Sequence, residues 1–220
     1  MTTIEIIEDE SELIEEYLPP WKILVVDDDP SVHQMTDFVL KDQHFFGKPL
    51  DIISAHSASA AFQVLKKQDD IALALIDVVM ESELAGFTLV KQIRDELTNH
   101  HIRLIIRTGQ PGKSSEESIA KEYEIHGYFN KIEITSDKLK AIIHTALRSY
   151  QDITELEFKN RQLKQLGFDI RESLNGVVGY LQIANKSQDE NKRKDALDKA
   201  NSFSGKLIAT INEKLSEIDG

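Results

Sequence analysis

Cysteine is absent from this sequence of 220 residues, so disulfides, thiolate metal sites and a cysteine nucleophile are all excluded. Long apolar runs are absent too: none approaches the ~20 residues that a membrane-spanning helix needs, and the acidic N-terminus does not resemble a signal peptide. Basic residues are outnumbered by acidic ones: the sequence has 26 lysines and arginines against 38 aspartates and glutamates, which gives a formal net charge of -12. We therefore expect a cytoplasmic protein with no membrane partner and no nucleic-acid partner, since phosphate contacts need a basic surface.

Proline and histidine are both missing from residues 151–220, which sets this stretch apart by composition. At the other end, residues 1–18 hold seven acids and no base, and Pro19-Pro20 separates them from the first apolar run of the chain. We predict three parts: an acidic N-terminal extension at 1–20, a domain of ordinary size at 21–150, and a smaller helical part at 151–220. The run of acids favours a solvated tail for the extension, with a short acidic helix as the alternative.

Short apolar runs separated by helix-like stretches predict a buried parallel sheet. We place its five strands near 22–26, 50–54, 71–76, 102–107 and 125–129. Helices are predicted near 30–42, 57–67, 86–97, 114–123 and 136–149. Strands and helices that alternate in this way form a doubly wound α/β fold with right-handed crossovers.

Five polar residues follow or end the predicted strands: Asp27, Asp28, Asp77, Thr108 and Lys131. Ligands of such sheets bind beyond the carboxyl ends of the strands, where all five fall. Three carboxylates at one point repel one another, so a bound cation is the natural resolution, and oxygen ligands suit Mg²⁺. A flavodoxin-like sheet with incidental acids is the alternative, but the occurrence of all five residues in order favours a site.

Four strings carry a resemblance to the receiver domain of two-component response regulators: Val25-Val26-Asp27-Asp28-Asp29-Pro30, Ile76-Asp77-Val78-Val79-Met80, Arg107-Thr108-Gly109 and Asn130-Lys131. The resemblance implies a flavodoxin-like fold with strand order 2-1-3-4-5. It also implies that Asp77 accepts a phosphoryl group from a histidine kinase, a histidine phosphotransfer protein or a small phosphodonor.

The same resemblance assigns roles around Asp77. It implies that Asp27 and Asp28 hold Mg²⁺ together with Asp77 and the backbone carbonyl of Val79. Lys131 would pair with the phosphoryl oxygens. Thr108 would move to hydrogen-bond them, and Tyr128 occupies the aromatic switch position of the family.

Three loop positions depart from the family pattern. Glu81 and Ile132 stand where prolines are usual, and Gly109 replaces a small residue such as alanine. The string from Arg107 to Gly112 also resembles a receiver subgroup that is often fused to cyclic-nucleotide phosphodiesterase outputs. The His-Asp pair and the Gly-Tyr-Pro motif of that output do not follow in this sequence.

Heptad spacing predicts that residues 151–220 form a helical hairpin. A break is expected at residues 186–191, and Asn160 lies on the apolar seam, where a buried amide can fix register. Two such hairpins bury their seams best by pairing, so we expect a homodimer with a four-helix bundle. The seam residues are Ile142, Ala146, Ser149, Ile153, Leu156, Asn160, Leu163, Gly167, Ile170, Leu174, Val177, Leu181 and Ala184, then Leu197, Ala200, Ser204, Leu207, Ile211 and Ile218.

The string from Phe168 to Gly179 resembles the phosphoacceptor signature of histidine-kinase dimerisation domains, except that Phe168 replaces the histidine. The resemblance implies a degenerate dimerisation domain whose output is a protein interaction, with a kinase or a second receiver as target. The alternative is an unrelated coiled-coil hairpin that has converged on this string. A phosphatase using Asp169, Glu172 or Asn175 to orient water is the enzymatic alternative. Transcription control is disfavoured, because 151–220 contains twelve acids against eleven bases.

Overall fold

Six strands, not the predicted five, form the sheet of the computed structural model, which describes residues 18–109 and 123–218. The strands are β1 Trp21–Val26, β2 His44–Phe45, β3 Lys48–Ala55, β4 Ile71–Asp77, β5 Arg103–Thr108 and β6 Gly127–Asn130. Their order is β2-β3-β1-β4-β5-β6, so the sheet without β2 has the predicted order, and the flavodoxin-like fold is confirmed.

The additional strand β2 pairs antiparallel with β3, as His44 faces Pro49 and Phe45 faces Lys48. The two residues between them, Phe46 and Gly47, both have positive φ angles, of 54° and 75°. Positive φ at both central positions is the geometry of a tight hairpin turn whose twist matches that of its strands. The prediction of five strands was wrong here because two residues are too short to show an alternating pattern.

The helix predicted at 136–149 begins as predicted but continues to Lys186, whereas the other described helices of the receiver-like part agree with the predicted positions to within a few residues. The described helices are α1 Pro30–Leu40, α2 Ala58–Leu65, α3 Ala85–Lys91 with a π-helical continuation to Glu96, a 3-10 turn Lys131–Glu133, α4 Ser136–Lys186 and α5 Glu190–Ile218. The helix predicted at 114–123 lies almost wholly outside the described residues, and so does the acidic extension before Leu18. None of the described helices is long and apolar enough to span a bilayer.

Side-chain alternation along the strands sorts the core into two clusters, one on each face of the sheet. One face carries α2 and α3 on side chains that include Leu24, Val26, Ala74, Ile76, Leu104 and Ile106. The other face is covered by the first turns of α4 and includes Ile23, Val25, Leu73, Leu75, Ile105, Ile143 and Leu147. All seven residues of β4 are buried, as expected for a central parallel strand.

The chain forms two compact units that adjoin in sequence between Asp152 and Ile153. In the second unit, the predicted break is confirmed: α4 ends at Lys186, and Asp189 accepts hydrogen bonds from the backbone N–H groups of Asn191 (2.9 Å) and Lys192 (3.3 Å). This is an N-cap, which satisfies donors that the first turn of α5 leaves unpaired.

Close packing of the two helices of this unit is concentrated near the turn. Ala184, Ala196 and Ala200 are buried, and the rings of Tyr180 and Phe203 stack at 5.8 Å. Much of the predicted seam faces solvent instead. Six of its apolar residues are between 38% and 62% exposed, namely Leu156, Leu163, Leu174, Leu181, Leu197 and Ile211.

Candidate functional site

Three carboxylates meet at the carboxyl end of the sheet. Oxygens of Asp27, Asp28 and Asp77 all lie within 4.8 Å of one another. The topology explains the meeting, because β1 and β4 are parallel neighbours with Val26 opposite Ile76, so both strands end at the same level. Asp27 is fully buried and Asp77 is nearly so, whereas Asp28 is exposed.

Lys131 supplies one positive charge to this cluster. Its Nζ lies 2.8 Å from Oδ2 of Asp77 and 2.8 Å from Oδ2 of Asp27. Burial opposes the charge of Lys131, but its hydrogen bonds to the two carboxylates outweigh burial and raise its pKa. Burial likewise raises the pKa of the Asp77 carboxyl, while Lys131 acts in the opposite direction. The lysine therefore stays charged and holds the two carboxylates together.

The backbone around Asp77 is fixed by its own loop. Oδ1 of Asp77 accepts a hydrogen bond from the N–H of Val78 (2.8 Å), which leaves Oδ2 for Lys131. The N–H of Gly86 donates to the Val78 carbonyl (3.1 Å), and a Cβ at Gly86 would collide with the Asp77 carbonyl. Only glycine allows α3 to start this close to the end of β4.

His33 of α1 fixes the other side of the site. Its Nε2 lies 2.8 Å from the carbonyl oxygen of Asp27, and its Nδ1 lies 3.0 Å from the Ser54 hydroxyl. A carbonyl can only accept, so Nε2 carries the proton and donates to Asp27. Asp29 also accepts from the N–H of Ser31 (2.8 Å) and caps α1 directly after the acidic pair.

The donor set fits a divalent cation. Oδ2 of Asp27 is buried and, among the described residues, has no well-aligned hydrogen-bond donor despite its contact with Lys131. Lys131 supplies only one positive charge to three carboxylates, so a divalent cation would neutralise the negative charge that remains. Asp28 and Asp77 add two further hard oxygen donors at the same point, as Mg²⁺ prefers.

The two predicted switch residues lie on the opposite face of the sheet from Asp77. Tyr128 pairs in register with Ile106 and packs against the cluster that holds α2 and α3. Thr108 follows two residues later on β5, which gives it the same side-chain direction, and it is buried. Thr108 and Tyr128 thus lie on the same face of neighbouring strands, with Thr108 opposite Asn130 in the register.

The family model of the response regulator receiver domain matches residues 23–144, more than half of the chain. The chain belongs to the response regulator receiver family. This membership places it in two-component signalling.

Solved structures show the same receiver fold. The signal receiver domain of an HD domain-containing protein from Pseudomonas fluorescens Pf-5 is 22% identical, with a TM-score of 0.52, over 60% of this chain and 98% of that one. An adenylate cyclase structure from Rhodopirellula baltica is 20% identical, with a TM-score of 0.56, over 64% of this chain and 98% of that one. At this level of identity the likeness concerns the fold alone.

A curated relative is more similar in sequence. The 3'3'-cGAMP-specific phosphodiesterase 2 of Vibrio cholerae is 46% identical over 138 residues, which is 63% of this chain but 26% of that protein. This chain therefore spans about a quarter of the length of that relative.

Glu81, which stands where the family usually has proline, makes contacts that the sequence did not reveal. Its two carboxylate oxygens accept hydrogen bonds from the N–H groups of Ala58 and Ser59, each at 3.2 Å. These are free donors at the start of α2, where a negative charge is stabilising. The loop after Asp77 is thereby joined to α2 of the receiver.

The other proline position, Ile132, belongs to the 3-10 turn after Lys131 and is 85% exposed. The Asn130 side chain accepts from the N–H of Ile132 (3.1 Å) and caps this turn. An Asx cap of this kind defines the turn without proline. The backbone at Lys131, the first residue of this turn, is therefore held by the cap.

The hairpin candidates belong to the second unit of the chain and lie on α4. Phe168 is 62% exposed and borders a groove of about 450 Å³, which none of the three polar candidates lines. Asp169 accepts a hydrogen bond from the Gln165 amide (2.8 Å). Glu172 and Asn175 are exposed on the following turns.

Proposed function

We propose that Asp77 is the phospho-acceptor of a Mg²⁺-dependent receiver and that its phosphorylation controls a protein interface on the C-terminal helices. The observation that carries the first part is the position of Lys131, which bridges Asp77 and Asp27 at 2.8 Å each inside a cluster of three carboxylates. This arrangement supplies an oxygen nucleophile, a counter-charge and a set of metal donors at one point.

Each residue then has a defined task. An oxygen of Asp77 forms a bond to phosphorus while the bond from phosphorus to the donor, a phosphohistidine or a small acyl phosphate, breaks. Asp27, Asp28, Asp77 and the Val79 carbonyl would hold Mg²⁺, which neutralises charge on the transferring phosphoryl group when bound. Lys131 keeps its proton and pairs with a phosphoryl oxygen.

The switch residues would respond on the far face of the sheet. The Thr108 hydroxyl donates to a phosphoryl oxygen after a local movement. Tyr128, beside it, then changes its packing against the cluster under α2 and α3. A charge change at one aspartate is thereby converted into a change of surface.

Phosphorylation with acetyl phosphate, followed by intact mass spectrometry, tests the first part. We expect a mass increase of one phosphoryl group, lost in Asp77→Asn and on removal of Mg²⁺ with EDTA. Asp51→Asn is the matched control, because Asp51 is exposed on β3 and remote from the cluster. Phosphorylation of Asp77→Asn to the level of the Asp51→Asn control would refute the assignment.

We propose that residues 151–220 pair with a second copy of the chain. Exposed leucines along the seam support this, since apolar stripes at heptad spacing are buried by a partner helix. Charge supports it too: twelve acids against eleven bases make the hairpin nearly neutral, while nearly all of the net charge of -12 lies before residue 151.

Sedimentation equilibrium tests the pairing. Leu163→Lys places a charge on the seam, and we expect it to yield monomers. Gln162→Lys introduces the same charge at an exposed position one residue off the seam and should leave the dimer intact. If both variants sediment with the same mass, this seam is excluded as the interface.

The target of the output, in our proposal, is a kinase or a second receiver that recognises the dimerisation-type surface around Phe168. With phenylalanine at the phosphoacceptor position, α4 presents the surface but takes no phosphoryl group. A pull-down with wild type and Asp77→Asn, each with and without acetyl phosphate, distinguishes phosphate-dependent from constitutive binding.

A phosphatase is the second candidate function. Asp169, Glu172 and Asn175 follow one another at intervals of three on α4, so they share one side of the helix next to Phe168. Polar groups so placed could orient water at a phospho-aspartate of a partner receiver. Faster loss of phosphate from a partner, abolished by Glu172→Ala and by Asn175→Ala, would support this candidate.

The activity of the Vibrio cholerae relative gives a further comparison. That protein is a 3'3'-cGAMP-specific phosphodiesterase, and we infer that the similarity reflects a shared receiver rather than a shared hydrolytic site. The supporting fact is that residues 151–220 contain no histidine. We expect the 220-residue chain not to hydrolyse 3'3'-cGAMP in a chromatographic assay; turnover by the purified chain would contradict this.

A further inference from the structure

Among the described residues of the receiver three arginines are buried, and two of them are held mainly by hydrogen bonds to backbone carbonyls. Arg103 donates to the carbonyls of His100 and His101, both at 2.7 Å, and to the Ser149 hydroxyl at 3.3 Å. Arg94 donates to three backbone carbonyls at the far end of the sheet, and its Nε, which makes no hydrogen bond among the described residues, lies 3.7 Å from the Glu124 carboxylate. Guanidinium groups bound in this way are structural.

Arg107 is different. It is 5% exposed, and its Nη1 makes one long hydrogen bond, of 3.3 Å, to the Thr36 hydroxyl on α1. Its Nε and Nη2 are buried and have no hydrogen-bond partner among the described residues. A buried cation in this condition is unfavourable by several kcal/mol unless nearby charge compensates it.

The compensating charge is that of the acidic cluster. Arg107 stands opposite Asp77 in the register of β4 and β5, and alternation from Ile105 puts its side chain on the same face as Asp27 and Asp77. Burial lowers the pKa of Arg107, and the negative charges of Asp27 and Asp77 act against that lowering. Arginine keeps its proton in proteins, so this is a permanent positive charge.

We propose that Arg107 is a charge-balancing residue of the phosphorylation site, which disfavours Mg²⁺ in the unphosphorylated state and favours the phosphoryl group once Mg²⁺ is bound. The proposal rests on the function proposed above. Three carboxylates and one ammonium leave two negative charges, which a single Mg²⁺ would already neutralise. With Arg107 present, the Mg²⁺-bound site keeps one positive charge, which the added negative charge of a phosphoryl group removes.

The side chain of Arg107 also has space in which to reorient when the site is phosphorylated. It borders a cavity of about 520 Å³ between α1 and the first turn of α4, which Lys131 and Thr36 line as well. The bond that ties its guanidinium to Thr36 is long and single, so reorientation towards Asp77 breaks little. The charge can therefore follow the phosphoryl group without a change of backbone.

Two titrations by isothermal calorimetry of the full chain test the proposal: Mg²⁺ alone, then beryllofluoride at saturating Mg²⁺. For Arg107→Met we expect Mg²⁺ to bind about tenfold tighter and beryllofluoride about tenfold weaker, the size of one screened unit charge at this range. Arg107→Lys should restore both affinities towards wild type. Arg103→Met removes a buried arginine from the same strand and face and should change neither.

The proposal predicts that Arg107→Met changes the affinities for Mg²⁺ and for beryllofluoride in opposite directions. Simple damage to the site would weaken both ligands, so weakening of both by Arg107→Met, or no change in either, overturns the proposal. If Arg107→Met does not fold by circular dichroism, Arg107→Gln replaces it under the same criteria. If wild type shows no Mg²⁺-dependent binding of beryllofluoride, the proposed function itself has failed, which is a separate result.

Discussion

Two glycines of α4 provide a direct measurement of how the hairpin packs. Gly176 and Gly179 are one turn apart in the same helix. A Cβ on Gly179 would meet nothing within 4 Å, whereas a Cβ on Gly176 would lie 2.5 Å from the Phe203 ring. The two alanine substitutions therefore change helix propensity equally but differ in packing.

The expected magnitudes follow from this difference. Alanine in place of glycine stabilises a helix interior by up to about 1 kcal/mol, so Gly179→Ala should raise stability by about that amount. In Gly176→Ala the Phe203 ring must retreat by about 1 Å while stacked on Tyr180, and overpacking of this kind costs roughly 1–3 kcal/mol. The difference between the variants isolates the packing contribution.

Thermal unfolding followed by far-ultraviolet circular dichroism measures the difference. In a unit of this size, 1 kcal/mol corresponds to a shift in Tm of roughly 4–8 °C. Phe203→Leu combined with Gly176→Ala should recover part of the loss, because the smaller side chain leaves space for the methyl group. Equal stabilisation by both glycine substitutions would show that Phe203 does not lie on Gly176, and would refute the packing of the hairpin described above.

Two further predictions concern the receiver. Gly86→Ala should slow phosphorylation by acetyl phosphate by about a hundredfold, because the new Cβ displaces the backbone at the end of β4, whereas Gly109→Ala meets nothing within 4 Å and should react normally; equal rates would contradict this. The pKa of His126 is lowered to about 4 by burial and by the charges of Arg103 and Arg94. The folded receiver therefore favours the neutral ring, so the contribution of His126 to the free energy of unfolding is complete above the unfolded pKa of about 6.5 and is lost as pH falls towards 4. Because the ring is partly exposed, we expect urea unfolding to show a loss of about 1 kcal/mol over this range. The loss should be absent in His126→Gln.

The sequence was sufficient to predict that the three aspartates and Lys131 lie together, because the signal is local and repeated. Each site residue ends or follows an apolar run, and the parallel topology then brings the ends together without further information. The Nζ of Lys131 accordingly lies within hydrogen-bonding distance of both Asp27 and Asp77. The order of the parallel strands, in contrast, was implied by the resemblance to receiver domains and not by the alternation of strands and helices.

Other features depend on contacts that no local pattern encodes. Strand β2 is only two residues long, and the carboxylate of Glu81 binds a helix start more than 20 residues earlier in the chain. Arg107 had a signal that could have been used, since an arginine inside a buried strand requires compensation. Its partner charges, however, lie on other strands, and only the register identifies them.

The arrangement of the two faces bears on how a signal would leave the receiver. Alternation along the strands puts Asp27 and Asp77 on the face of Val25 and Leu75, against which Ile143 and Leu147 of α4 pack, and puts Thr108 on the face of Ile106. The helix α4 is unbroken from Ser136 to Lys186, so its first turns belong to the receiver and its later turns to the hairpin. The face of the sheet that carries Asp77 is therefore the face on which the receiver part of α4 packs.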